Sequence, residues 1–350
     1  MSSERRPHTW AAALTLYFLA PILGEVFSFN TPPLKLILDP GTFMFEPALY
    51  GSGALLIREV ARRRGLGWPA ILVMGAAYGI LEEGVFIHSW FNPTFEGLHS
   101  LAVYGRAWDT SWVWAVGLTG FHAVFSITIS ILLAEALFPR VAALPWLNRF
   151  WLRLIASWFA FTVLFGAVAY GFVLARDKGY THPPLAYLLA IALVLVLFFI
   201  GSRLRSRAQT RIVERPTPGL WSLRLFGGGM TLAFFFAFYG LSALQPFALI
   251  AIGGMIAIGG MIATVVYSAW RVVRWSHSPG WGAEQRLALA SGAFGFWLVL
   301  SPLFYTTGLP LVALVFLLLL IWLAWRTARR ERAQAPGPVR FGPQTPIPTR

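Results

Sequence analysis

Apolar runs of membrane-span length recur along this chain, and that recurrence limits its fold more than any other feature. A helix needs about 20 apolar residues to cross a hydrocarbon core. Backbone polar groups inside lipid must also be satisfied within the segment, which leaves helices or closed barrels. About ten runs qualify: residues 10–29, 48–60, 68–91, 111–138, 150–175, 183–201, 221–244, 246–270, 287–305 and 309–325. Only 12% of residues are charged, against about 25% in a soluble domain, and the mean hydropathy is +0.65. A globule of this composition lacks the polar surface to cover itself. The expected fold is therefore all-α: a polytopic integral membrane protein of about ten transmembrane helices with both termini cytoplasmic.

Charge patterning supports that count. The predicted inner connections hold Arg62–Arg64, Arg140, Arg149 and Arg153, then five arginines between 203 and 215. Arg271, Arg274 and Arg286 come after them, and the tail adds Arg326, Arg329, Arg330 and Arg332. The outer connections hold Lys35, Arg106, Arg176 and Lys178 beside five acidic residues. This is the positive-inside asymmetry, and an error of one span would scramble it downstream. The net charge of +14 is thus read as topology and contact with anionic headgroups, with no nucleic acid partner. Tryptophans at the run ends (Trp10, Trp68, Trp90, Trp112, Trp221, Trp270 and Trp325) read as an interfacial belt. With no cysteine, disulfide and thiolate chemistry are excluded. The first run lies behind a short basic segment without a small-residue cleavage site, so it is expected to stay as an uncleaved span. The proline-broken stretch 31–47 is expected as a loop or re-entrant piece.

Residues 1–201 are expected to form the half that carries polar groups, and 202–219 a basic cytoplasmic linker. Residues 220–325 are expected as an apolar packing half, and 326–350 as a disordered basic and Pro-rich tail. The glycines of the repeat IAIGGM-IAIGGM, residues 250–261, suit close helix contact.

Within the first half, one stretch stands apart: GAAYGILEEGVFIHSW, residues 75–90, sets Glu82 and Glu83 inside a span. Ionisable groups at membrane depth cost about 2.5–3.5 kcal/mol each on insertion scales, and they persist where they pair, line water or do chemistry. Gly75, Gly79 and Glu83 share a helical face, and the small residues let a neighbouring helix approach. On the next span His122 lies at a matching depth below the outer surface, about 15 Å from Trp112 against about 12 Å from Trp90 to Glu82. Thr119, His122, Ser126 and Ser130 fall within about 80° of arc, a polar stripe on an apolar helix. Glu82, Glu83 and His122 are the candidate catalytic groups. Tyr78, Thr119 and Ser126 are candidates to bind substrate. A buried carboxylate can serve as general base near neutral pH, while an imidazole can orient water, stabilise an oxyanion or hold a divalent metal such as zinc. His88 is a weaker metal candidate, since its spacing turns it from Glu83. Glu25, Arg58, Glu59 and Glu135 lie near helix ends and are expected to snorkel. Glu59 and Arg63 form an i,i+4 pair.

Paired glutamates in a span, with His in a later span, resemble the CAAX protease and bacteriocin-processing family of intramembrane proteases. That family carries EExxxR, then FxxxH, then HxxxN or HxxxD, and the likeness covers about residues 68–138. Glu82-Glu83 matches the first motif, with Ile87 where the family has Arg. Leu118–His122 fits the second motif with Leu for Phe. Alternatively His122–Ser126 fits the third with Ser for Asn, leaving Phe95–His99 as the second. Membrane proteases with EExxK and a later His are a looser likeness. The resemblance implies Glu82 as base, Glu83 as its partner and His122 as the group that orients water or the oxyanion. The expected activity is hydrolysis of a membrane-associated peptide or lipid-like substrate in a prokaryotic cytoplasmic membrane. Two alternatives stand beside it. One is a proton- or cation-coupled transporter, which a lack of inverted repetition between the halves disfavours. The other is an inactive scaffold subunit.

Overall fold

The computed structural model describes residues 9–174, 183–205, 216–244, 250–300 and 308–334. The protein is a helical integral membrane protein, and among the described residues seven helices are long and apolar enough to cross a membrane. A further apolar stretch, Trp10–Val26, is shorter. The first helix α1 (Trp10–Pro21) passes into a π-helical turn, Ile22–Val26. The proline-broken stretch forms two short helices, α2 (Pro33–Leu38) and α3 (Pro40–Glu46). Each begins with Pro in its first turn, where the missing N–H costs nothing. A second π turn, Pro47–Gly51, leads into α4 (Ser52–Arg63). Then come α5 (Trp68–Ile80) with its π extension Leu81–Phe86, and α6 (Trp112–Phe121), the π stretch His122–Ile129 and α7 (Ser130–Leu137) as one continuous rod. The loop between them carries a two-residue antiparallel ladder, with Arg106 opposite Ser111 and Ala107 opposite Thr110. Next are α8 (Arg149–Val168), α9 (Pro184–Gly201) and α10 (Leu220–Phe235). The last three are α11 (Ile250–Ser276), α12 (Ala283–Leu300) and α13 (Leu309–Gln334). The described part of each predicted apolar run overlaps helical structure, and seven of these helices have span length and hydropathy.

Glycine sets the closest helix contacts. A Cβ on Gly75 would stand 3.1 Å from the Ala123 Cα, and one on Gly79 would stand 3.0 Å from the His122 Cβ and 3.1 Å from the Thr119 Cα. The face read from the sequence is therefore the face on which α5 meets the α6–α7 rod. In the second half, Gly227 of α10 faces the backbone of Leu289 and Ala293, and Gly292 faces Arg224, so α10 and α12 touch main chain to main chain. Within the repeat, Gly254 meets Gly105 of the loop between α5 and α6 and Gly260 meets Ala237, while Gly259 faces open space. The two halves join through aromatic rings: Trp297 of α12 lies 5.7 Å from Phe121, 5.8 Å from Phe125 and 4.8 Å from Phe235. By contrast α8 and α9 expose Leu164, Leu185 and Leu195, the surface of helices that face lipid.

Three expectations are corrected. Arg58, Glu59 and Glu135 do not snorkel; all three are buried, the first two completely. Arg58 donates to Glu135 at 3.1 Å, to Glu59 at 3.3 Å and to the carbonyls of Ala142 at 2.7 Å and Leu144 at 3.1 Å. Its guanidinium lies 3.3 Å from the centre of the Trp146 ring. Glu59 also accepts from Arg63, as the i,i+4 spacing predicts, and from the Trp146 amide at 2.6 Å. Arg62 grips both oxygens of Glu135 at 2.7 Å. The chain after α7 folds back over these charges and supplies carbonyls that snorkelling would have sought from water. Trp90 does not turn its ring outward to headgroups: it is 6% exposed and packed on Gly84. The final helix runs on to Gln334, past the predicted start of the tail. Residues 335–350 and 206–215 of the predicted linker lie outside the described residues.

Candidate functional site

Four π-helical turns supply the site. Glu25 lies on Ile22–Val26, Tyr50 on Pro47–Gly51, Glu82 and Glu83 on Leu81–Phe86, and His122 opens His122–Ile129. A π turn adds a residue to the helical repeat and rotates the facing of every later residue on that helix, and such turns recur at functional sites. Both carboxylates, which an ideal helix would set about 100° apart, thereby reach one imidazole.

His122 is held between them. Its Nε2 lies 3.1 Å from Glu83 Oε1. Its Nδ1 lies 2.9 Å from Ser126 Oγ and 3.3 Å from Glu82 Oε2. The three side chains are buried, Glu82 at 5% exposure, Glu83 at 7% and His122 at 2%. Each offers one ligand atom within 4.8 Å of the others, so the trio has the spacing and the donor types to hold a divalent cation.

The polar array continues in both directions. Ser89 donates to Glu83 and accepts from the Trp114 indole at 3.0 Å. On the other side Tyr50 bridges Glu82 and Glu25 through its hydroxyl. Thr31 then donates to Glu25 at 3.0 Å and approaches Glu46 at 3.5 Å. Tyr50 has one hydrogen to give and two carboxyls to serve, so Glu25 and Glu82 share a single donor there. Glu25 and Glu46 are half-buried, and the array thus runs from a partly exposed acidic end to a closed centre. Glycines fit the rings in place: a Cβ on Gly24 would stand 2.5 Å from the Tyr50 ring, and Gly53 lies against Tyr78.

Among the predicted residues, Glu82, Glu83, His122 and Ser126 meet in one constellation. Tyr78 lines it, with its ring centre 6.2 Å from that of His122 and 5.9 Å from that of Tyr50. Thr119 lies one turn away at the Gly79 crossing and is half-buried. His88 is not brought in; it turns away at φ 58° and stacks on Tyr187 at 4.7 Å. His99 is exposed in the loop between α5 and α6. Sequence reasoning does not single out Glu25, Tyr50, Thr31 or Glu46 as partners. Glu25 is expected to snorkel, yet its carboxyl is turned inward onto Tyr50. The available signal is a glutamate and a tyrosine inside two apolar runs flanking a proline-broken segment, which the short helices fold back over the centre.

The model of a family described as "Uncharacterized membrane protein family" matches residues 14–345. No curated protein and no solved structure matches the chain.

Proposed function

We propose that this chain, which belongs to that uncharacterized membrane protein family, is a membrane-embedded hydrolase in which Glu82 activates water. In this reading about ten spans cross a prokaryotic cytoplasmic membrane with both termini on the cytoplasmic side. The substrate is a membrane-associated peptide or lipid-like molecule. The supporting observation is the clamp on His122, with Glu83 and Ser126 fixing the ring while Glu82 Oε2 faces it without a hydrogen bond of its own.

Water between Glu82 and a substrate carbonyl gives its proton to Glu82 as its oxygen bonds the carbonyl carbon. The bond to the leaving group then breaks, and Glu82 returns the proton to the departing nitrogen or oxygen. His122 steadies the attacking water or the oxyanion, and its orientation comes from Glu83 in the way a triad base is oriented by its acid. Tyr78 presents its hydroxyl to the same space. The likeness to CAAX-type proteases points in this direction for Glu82, Glu83 and His122, with Ile87 in place of the family arginine. The test is the purified protein in vesicles with membrane peptides and lipids, read by mass spectrometry for products. Glu82→Gln and His122→Ala are expected to lower turnover about 10²- to 10⁴-fold. Wild-type turnover in both variants removes the reading.

A second reading draws on the array from Glu46 through Thr31, Glu25 and Tyr50 to Glu82. Such a chain suits proton transfer, and the same groups then serve a proton- or cation-coupled carrier. It predicts pH-dependent uptake into vesicles with no covalent product. Uptake that Glu82→Gln leaves unchanged rejects it.

A further inference from the structure

At the opposite end of the molecule from the loop between α5 and α6, four segments distant in sequence line a cavity of about 660 Å³. The turn after α7 contributes Arg140, the start of α12 contributes Arg286, and the last turns of α13 contribute Arg326 and Arg330. Trp68 and Leu132 form an apolar shelf beside them. All four arginines belong to connections that the positive-inside pattern assigns to the cytoplasm.

These arginines differ from their neighbours on α4. Arg58, Arg62 and Arg63 are taken up by Glu59 and Glu135. Among the described residues no carboxylate lies within 4.0 Å of Arg140, Arg286, Arg326 or Arg330. Two glutamates also line the cavity. Glu135 is already gripped by Arg58 and Arg62, and Glu331, which accepts from the Glu284 amide at 3.2 Å, is one carboxylate against four guanidinium groups. Arg326 donates to the Leu137 carbonyl at 3.0 Å, which fixes the guanidinium at the wall. Four cations facing one space repel one another, and an anion between them relieves that repulsion. Guanidinium groups match phosphate oxygens two at a time. A basic pocket between helices on the cytoplasmic side, with apolar surface alongside, has the character of a phospholipid headgroup site.

We propose that this cavity binds a phosphate-type anion through Arg140, Arg286, Arg326 and Arg330. The phosphate belongs to a lipid headgroup or to a soluble phosphate, and the experiment separates the two. Full-length protein in detergent is offered phosphatidylglycerol or phosphatidylcholine and read by native mass spectrometry. In parallel it is titrated with inorganic phosphate and read by thermal shift against chloride of equal ionic strength. Arg286→Gln/Arg330→Gln is the main variant, Arg140→Gln, at an exposed position, is the milder one, and Arg153→Gln on α8 is the control. If the headgroup is the ligand, wild type retains phosphatidylglycerol over phosphatidylcholine. The double variant then loses about 30-fold, from two headgroup contacts at about tenfold per 1.4 kcal/mol. Arg140→Gln loses about fivefold, and Arg153→Gln matches wild type. If a soluble phosphate is the ligand, the same order of variants appears in the titration and not with lipid. The proposal is overturned if neither probe binds above its control, or if Arg140→Gln and the double variant bind like wild type.

Discussion

Replacing Arg58 by Met keeps an unbranched stem over Trp146 and removes the guanidinium. Four polar contacts go with it: Glu59, Glu135, and the carbonyls of Ala142 and Leu144. Side-chain hydrogen bonds inside a membrane protein average about 0.6 kcal/mol, so four such contacts come to about 2.4 kcal/mol. Removing one partner of a buried ion pair costs about 3–5 kcal/mol because the other charge is stranded. Here the stranding is incomplete: Glu135 keeps both bonds from Arg62, and Glu59 keeps Arg63 and the Trp146 amide. The expected loss is therefore about 3 kcal/mol, at the low end of that range. Lys at the same position restores a charge without the planar fork, and should recover less than half of the loss. The assay is reversible unfolding in mixed micelles, with Arg58→Met/Glu135→Gln completing a double-mutant cycle. A loss below about 1 kcal/mol for Arg58→Met, or additivity with Glu135→Gln, would show that these charges are not coupled as drawn.

Other expectations concern the site and its approach. Gly79→Val puts methyl groups where a Cβ alone stands 3.0 Å from His122 and 3.1 Å from Thr119. It should destabilise by about 1–3 kcal/mol through overpacking and weaken His122–Glu83 contact, read by unfolding and by turnover. Tyr50→Phe leaves the ring packed on Gly24 but removes the hydroxyl shared by Glu25 and Glu82. Losing a hydrogen bond to a charged group costs about 1.5–3 kcal/mol, so stability should fall by that order; an unchanged unfolding curve refutes the bridge. The Asp39 carboxyl caps α3, accepting from the Thr42 hydroxyl at 2.6 Å and its amide at 2.7 Å, and these bonds hold it below its ordinary value. A depressed carboxyl stabilises above its unfolded value and loses that contribution as pH falls through the folded one. Protection of the Thr42 amide relative to Asp39→Ala should thus be full at pH 6 and vanish in acid. Equal protection in both proteins at pH 6 refutes the cap.

The helical body was legible because burial in lipid imposes one rule on every span, and seven of the described helices meet it in length and hydropathy. Gly75 and Gly79 disclosed the crossing of α5 with the α6–α7 rod because a missing side chain has one clear use there. Glu82, Glu83 and His122 were legible because the cost of placing them at depth demands a reason. What stayed hidden depends on contacts distant in sequence. Arg58 sits near a helix end, and nothing local says that residues 142–146 fold back to cover it. Tyr50 and Glu25 meet only because α2 and α3 reverse the chain between α1 and α4. The π turns escape a 3.6-residue wheel altogether, yet they set the facing of each acidic side chain in the cluster.

At the centre of the site one imidazole lies between two carboxylates of the neighbouring span, 3.1 Å from Glu83 and 3.3 Å from Glu82. Nitrogen-15 NMR of histidine-labelled protein tests it directly, with His122 assigned by its loss in His122→Ala. The expected result is a shift of the Nε2 resonance in Glu83→Gln and of the Nδ1 resonance in Glu82→Gln, with the remaining histidines unmoved. A His122 signal that neither substitution changes would contradict the clamp and, with it, the site.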